Sequence, residues 1–267
     1  MNIVVSANLV HDGIISGILK LIPDCVKWDN KTVSLYDVYD KLKPRVIIAN
    51  SSEFTKNHEE LVKEYPDTKI VLFGQSYEVK PDLLCTSGHY DKDDVPNTMI
   101  HRSANVIDYC GEYADIFSCD ISYINTKTKL APEELELIKR PTLIDVKYRA
   151  YNINKLNNSV GVATQKEHAD ILASTSILLD IDGNWLMNAA FNKCFVLCGV
   201  KNSYYPWVKY DNVNEYATQY LGDLAAKKGV AAKAYDAIMN RNTCITRIQS
   251  ILKEIKEKDL EYYVSKH

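Results

Sequence analysis

Five residues, Asp180-Ile181-Asp182-Gly183-Asn184, stand where the apolar run SILLDI (176–181) hands over to the helical pattern NWLMNAAFNK. The start of a helix offers free N–H groups and a partial positive charge, a setting that suits a phosphate. Asp182 can instead cap those N–H groups, and its charge then opposes a phosphate. Asp180 and Asp182 can also hold sugar hydroxyls, so a ligand site and a plain capped turn both remain open. Lys127 and Lys129 follow an earlier apolar run, CDISYIN (119–125), and Lys147 and Arg149 lie near the end of TLIDVKY (142–148). Cations at such places neutralise a diphosphate leaving group; singly, each also reads as a solvated surface charge. A third cluster is ANLVHDGI (7–14), which follows the first apolar run. His11 or Asp12 can take a proton from an attacking hydroxyl, and Gly13 lets the backbone approach a ligand. The alternatives are that Asp12 caps the next helix and His11 is an exposed loop residue.

Several chemistries are poorly supported. There is no GxGxxG, Walker sequence, GxSxG or HExxH, which argues against standard dinucleotide, ATP, serine-hydrolase and zinc-protease mechanisms. The seven cysteines show no zinc-type spacing. They read as reduced, mostly buried thiols of a cytosolic protein, and no metal site is expected. Asp93-Asp94 reads as a solvated loop. The formal net charge of −3 gives no global attraction to a polyanion. The start MNIVVSANLV has no signal-peptide pattern, and no apolar run reaches the roughly 18 residues of a membrane span. The expected location is cytoplasmic, or host cytoplasm if the source is viral.

The elements that must position these residues alternate along 267 residues that are 46% hydrophobic and 25% charged. Strands are expected at 2–8, 45–51, 69–75 and 82–88, with a weaker one at 25–30, and helices at 12–21, 34–43 and 54–65. Continuous β-branched runs suit a parallel sheet covered on both faces. The segment 88–115 is loop-rich and marks a junction. Alternation then resumes with strands at 119–125, 142–148, 158–164, 176–181 and 194–199, and helices at 131–139, 166–175 and 184–193. Apolar residues at near-heptad spacing from Tyr235 to Ile255 predict a terminal helix. The expectation is α/β: two Rossmann-like domains, 1–112 and 113–267, the latter carrying the terminal helices. They would face each other across a cleft framed by strand ends, where ligands bind.

The second half resembles the group-1 and CgeB-like glycosyltransferases of GT-B fold. The resemblance rests on VGVATQKEHADILASTSILLDIDGNWLMNAAFNKCFVLCG and on Asn242-Thr243-Cys244-Ile245-Thr246-Arg247, which stands where the family has a helix reading roughly H-T-x-x-x-R. It implies a hexosyl- or pentosyltransferase that uses a nucleotide-diphosphate sugar, most naturally a UDP-sugar, with no metal. Gly161 would lie beside the nucleotide, Asp182, Gly183 and Asn184 would face the sugar and diphosphate, and Asn188 takes the place of a helix glutamate. The glycine after that helix is Lys193 here, and the family histidine is Asn242. These departures keep a catalytically inactive nucleotide-sugar-binding module in view, beside a sugar-nucleotide epimerase or phosphate-sugar transferase of the same architecture. The size and texture are also similar to compact bacteriophage enzymes that glycosylate hydroxymethylated bases in DNA. That likeness would require a basic groove from Lys43, Arg45, Lys56, Lys63, Lys80 and Arg102, and an aromatic base pocket from residues such as Tyr77, Tyr90 and Tyr109. The partners implied are a nucleotide sugar and a hydroxyl acceptor, with DNA as one candidate.

Overall fold

The apolar runs become strands that are buried along their length. The computed structural model describes residues 3–9, 12–87, 94–99, 103–139, 146–153, 156, 158–202, 205–206 and 212–266. The chain divides into two units, Met1–Arg102 with Cys244–His267, and Ser103–Thr243. This differs from a junction at 112 with all terminal helices in the second domain.

In the first unit β1 (Ile3–Ser6), β2 (Cys25–Trp28), β3 (Val46–Asn50), β4 (Lys69–Phe73), β5 (Leu83–Thr86) and β6 (Asn97–Met99) form one parallel sheet. Its order is β2-β1-β3-β4-β5-β6, so the winding reverses between β1 and β3. Side chains alternate between faces. Ile3 and Val5 pack with α1 (Asp12–Leu21), whereas Val4 packs with α2 (Leu35–Leu42) and Phe54. The helix expected at 54–65 is reduced to α3 (Glu59–Glu64), preceded by 3-10 turns at Ser51–Glu53 and Lys56–His58. Glu53 accepts the Asn50 N–H at 2.8 Å and the His58 ring accepts the Thr55 N–H at 3.1 Å. Such local side-chain bonds compete with a continuous helix.

In the second unit β7 (Cys119–Ile124), β8 (Tyr148–Tyr151), β9 (Thr175–Asp180) and β10 (Phe195–Cys198) form a parallel sheet of order β10-β9-β7-β8. The winding reverses between β7 and β9. Around it lie α4 (Pro132–Lys139), α5 (Gln165–Ser174), α6 (Leu186–Phe191), α7 (Val213–Gly222) and α8 (Leu224–Arg241). The strand expected at 142–148 is displaced: β8 starts at Tyr148, pairs from Ile121–Tyr148 to Ile124–Tyr151, and ends at the left-handed Asn152 (φ 57). Residues 142–145 of that run lie outside the described residues. The strand expected at 158–164 is only a bridge from Ser159 to Ala150. Gly161 at φ +100 interrupts the extended run, and Thr164 is already the N-cap of α5, in a capping box with Glu167.

The single tail helix expected over 235–255 breaks at Asn242–Thr243, where Ala104 forms a bridge to Thr243 and donates its N–H to the Asn242 carbonyl at 2.8 Å. Its apolar stripe serves two cores. Ile238 packs in the second unit, whereas Ile248, Leu252 and Ile255 of α9 (Cys244–Glu254) and its end pack on the first sheet. Leu260 and Val264 of α10 (Lys258–Ser265) join them. All seven cysteines are free thiols, five of them buried.

Candidate site at the strand tips of the second unit

Ligands of open parallel sheets bind outside the carboxyl ends of strands where the winding reverses. In the second unit these are the tips of β7 and β9, and the polar residues singled out in the sequence concentrate there. Asp180, the last residue of β9, is 1% exposed. Its two carboxylate oxygens accept the N–H groups of Gly183 and Trp185, each at 3.1 Å. Asp180 therefore occupies two of the donors ahead of α6. Burial, with Asp182 second, pushes its carboxyl up to about 7. Gly183 is buried at φ +74, and a Cβ there would meet Val200 at 2.8 Å, so the turn needs glycine.

Asp182 joins the two loops. One oxygen accepts the Asn184 N–H at 3.3 Å; the other lies 3.3 Å from the Thr126 hydroxyl and 3.7 Å from Lys127 Nζ. The Asn184 amide donates to Thr126 Oγ1 at 3.0 Å. Lys127 Nζ also donates to Glu134, whose second oxygen accepts the Ala131 N–H at 2.8 Å. The Lys127–Glu134 bond raises the lysine and lowers the carboxyl from their ordinary values. Lys127 thus sits between two carboxylates, and an incoming diphosphate would have to displace one of them from the ammonium. A groove of about 640 Å³ opens beside Lys127, lined in part by Asn125, Thr128, Leu135, Asn152 and Ile153.

A second set of residues, which sequence reasoning missed, supports these loops from behind. The Asn125 side chain accepts the Lys127 N–H at 3.2 Å and donates to the carbonyls of Lys127 at 2.7 Å and Asn152 at 3.1 Å. The Trp185 indole donates to the Ile124 carbonyl at 3.0 Å and packs against the rings of His168, at 4.9 Å, and Tyr109, at 5.7 Å. Asparagine immediately after a strand is the sequence signal that would have found Asn125 and Asn152, because such residues close turns through their side chains.

The structure separates the other expected residues. Lys129 is exposed in the loop after β7. Arg149 is not at these tips: because β8 begins rather than ends near it, its guanidinium donates to the Ile116 carbonyl ahead of β7, toward the amino ends of the strands. Gly161 is exposed and tied to Asn152, whose N–H donates to the Gly161 carbonyl at 2.8 Å. Asn188 Oδ1 accepts the Asn105 N–H at 2.9 Å, which turns this side chain to the segment before β7. Lys193 adopts φ 55, the left-handed conformation that explains a glycine at this position in the resembling family.

In the first unit His11 lies outside the described residues, and α1 begins at Asp12. The tips of β1 and β3 gather Ser6, Asn8, Asn50 and Glu53. Glu53, 8% exposed, accepts Ser6 Oγ at 2.8 Å and the Asn8 amide at 3.4 Å. The residues expected to form a basic groove have separate surroundings. Arg45 precedes β3 and pairs with Glu257 at 2.6 Å and Asp259 at 3.4 Å; Lys43 ends α2; and Lys63 pairs with Glu60 at 2.7 Å. Lys56 and Lys80 are exposed, and Arg102 and Tyr90 lie outside the described residues. Tyr77 donates to Asp94 in the first unit, and Tyr109 packs on Trp185 in the second. Among the described residues no group of three His, Cys, Asp or Glu side chains is placed to hold a metal ion.

No family model matches the chain, and no curated protein matches it in sequence. Solved structures match its fold over nearly the whole length. Anabaena HepE in complex with UDP aligns with 96% of this chain and 100% of that one, at TM-score 0.68 and 10% identity. The glycosyltransferase of kitacinnamycin aligns with 95% and 98%, at 0.59 and 9%. The UDP-GlcNAc 2-epimerase from Neisseria meningitidis, bound to UDP-GlcNAc, aligns with 96% and 100%, at 0.58 and 11%. The fold is therefore that of the GT-B glycosyltransferases, with two Rossmann-like units each built on a parallel sheet.

Proposed function

We propose that the protein is a glycosyltransferase that takes a sugar from a nucleotide-diphosphate sugar, with the diphosphate beside Lys127 and the sugar hydroxyls near Asp182 and Asn184. The observation that carries this reading is the convergence of Thr126, Lys127, Asp182 and Asn184 at the winding reversal of the second sheet. Lys127 supplies the charge that a departing nucleoside diphosphate needs, once the phosphate replaces a carboxylate at its ammonium. Lys129, exposed on the same loop, adds a second cation. Asp182 and Asn184 bring an acceptor and a donor group suited to hydroxyls. A UDP-sugar is the first donor to test, since UDP occupies the structurally similar HepE.

Proton removal from the acceptor falls to Asp12, the first residue of α1, or to His11, its neighbour in sequence. A neutral hydroxyl acceptor is the first to test, because the formal net charge of −3 gives no global attraction to the phosphate backbone of DNA. The test is incubation with UDP-glucose and other nucleotide sugars, with and without glycan acceptors, following released nucleotide. Transfer or hydrolysis by the wild type, reduced about tenfold or more in Lys127→Ala, is the expected result. Nucleotide binding without turnover would point to an inactive binding module. A second reading, a sugar-nucleotide epimerase, is favoured by the equally extensive fit to the Neisseria enzyme. An isomerised sugar nucleotide formed without any acceptor would decide for it.

A further inference from the structure

Asn152 holds an unusual position in the network behind the candidate site. It ends β8 in the left-handed region at φ 57, a conformation asparagine tolerates. Its Oδ1 accepts the Ala163 N–H at 2.7 Å. A backbone N–H can only donate, so this contact fixes the amide with its oxygen toward Ala163. The amide NH2 then faces the Asn125 carbonyl at 3.4 Å and His168 Nε2 at 3.0 Å. Nε2 must therefore accept, and the imidazole proton resides on Nδ1. That Nδ1 is buried and has no hydrogen-bond partner among the described residues. A continuous path runs from His168 through Asn152 and Asn125 to the backbone of Lys127.

We propose that Asn152 is a positioning residue for the donor site, holding the Lys127 loop and the Gly161–Thr164 segment in register only while the neutral His168 ring accepts its amide hydrogen. A proton taken from solvent onto Nε2 sets two donors face to face. The bond is lost, Asn152 turns, and its hold on Ala163 and Asn125 goes with it. The groups around the ring agree with a neutral state. Trp185 packs on it from the start of α6, Asp180 accepts the backbone N–H of that tryptophan, and Glu167 is its charged neighbour on α5. Burial holds His168 below the ordinary histidine value, against the pull of Glu167. The part of the proposal that concerns the donor rests on the glycosyltransferase reading; the coupling between the loops does not.

The experiment follows the histidine ring resonances of the full chain by NMR from about pH 8 to about pH 5, with the Lys127 and Ala163 backbone amides. The two amides are expected to shift with the midpoint of His168. In Asn152→Asp, a carboxylate facing Nε2 raises that midpoint by about one pH unit or more. In His168→Gln the part of both amide shifts that follows the His168 midpoint disappears. UDP-glucose, whose phosphates do not titrate here, is expected to bind the wild type about tenfold more weakly at the acid end, with a flatter dependence in His168→Gln. Asp180 titrates in both proteins, so the difference between them isolates the histidine. Amides that ignore His168, or an unmoved midpoint in Asn152→Asp, overturn the proposal. Absence of UDP-glucose binding at any pH, with the amides still following His168, overturns the donor reading and leaves the loop coupling standing.

Discussion

At the residue scale the site is governed by which group takes the N–H donors ahead of α6. Asp180 takes two of them while almost completely buried, and its carboxyl is held up to about 7. A carboxyl raised in the folded state adds stability that is full below its unfolded value near 4 and is lost as pH rises toward 7. His168 works in the other sense. A lowered imidazole adds stability above its ordinary value near 6.5 that is lost as pH falls through its folded value. Asp180→Asn is therefore expected to remove a downward slope of up to about 1.4 kcal/mol per pH unit between about pH 4 and 7, measured as the difference from wild type in denaturant unfolding. Equal slopes in both proteins would mean that Asp180 is ionised throughout. The position of Asp180 was legible from sequence, because a strand-to-helix turn announces itself in DIDGN. Its role was not: two acidic residues with one residue between them face the same turn, and only the folded turn gives two donors to buried Asp180 and the Asn184 N–H to Asp182.

At the scale of elements, runs such as NIVVSAN and SILLDI gave β1 and β9 to within a residue or two, since a strand buried on both faces needs nothing but apolar, β-branched sequence. β8 was misplaced because TLIDV and YRAY are both plausible strands, and long-range pairing with β7 selects between them. That error alone put Arg149 at the wrong end of the strands. The break at Asn242 was hidden because its two flanking helices keep one apolar phase while serving different cores. The α9 helix tests this assignment. Leu252, 1% exposed, packs on the first sheet, and Leu252→Ala is expected to cost about 2–5 kcal/mol. The loss should appear in hydrogen exchange of β1 and β3, with the amides of β7 and β9 unaffected. Thr164→Ala should cost only about 1 kcal/mol, the worth of one N-cap, and should loosen α5.

At the scale of the whole molecule the second unit is inserted within the first, which is completed only by Cys244–His267. Residues 103–243 carry their own sheet, helices and core, and are expected to give a cooperative unfolding transition when expressed alone. Residues 1–102 alone keep α1 but lack α9 and α10, which complete the cover of the face carrying Ile3, Val5, Ile48 and Val71, and are expected to aggregate. Circular dichroism melts and light scattering of the two fragments check both outcomes. During synthesis the strands of Met1–Arg102 leave the ribosome before residues 103–243, and Cys244–His267 follow only after both. The inserted lobe can mature while its host waits with one greasy face incompletely roofed. Nascent chains stalled between residues 103 and 243 are therefore expected to expose that face, and those carried past residue 267 to bury it.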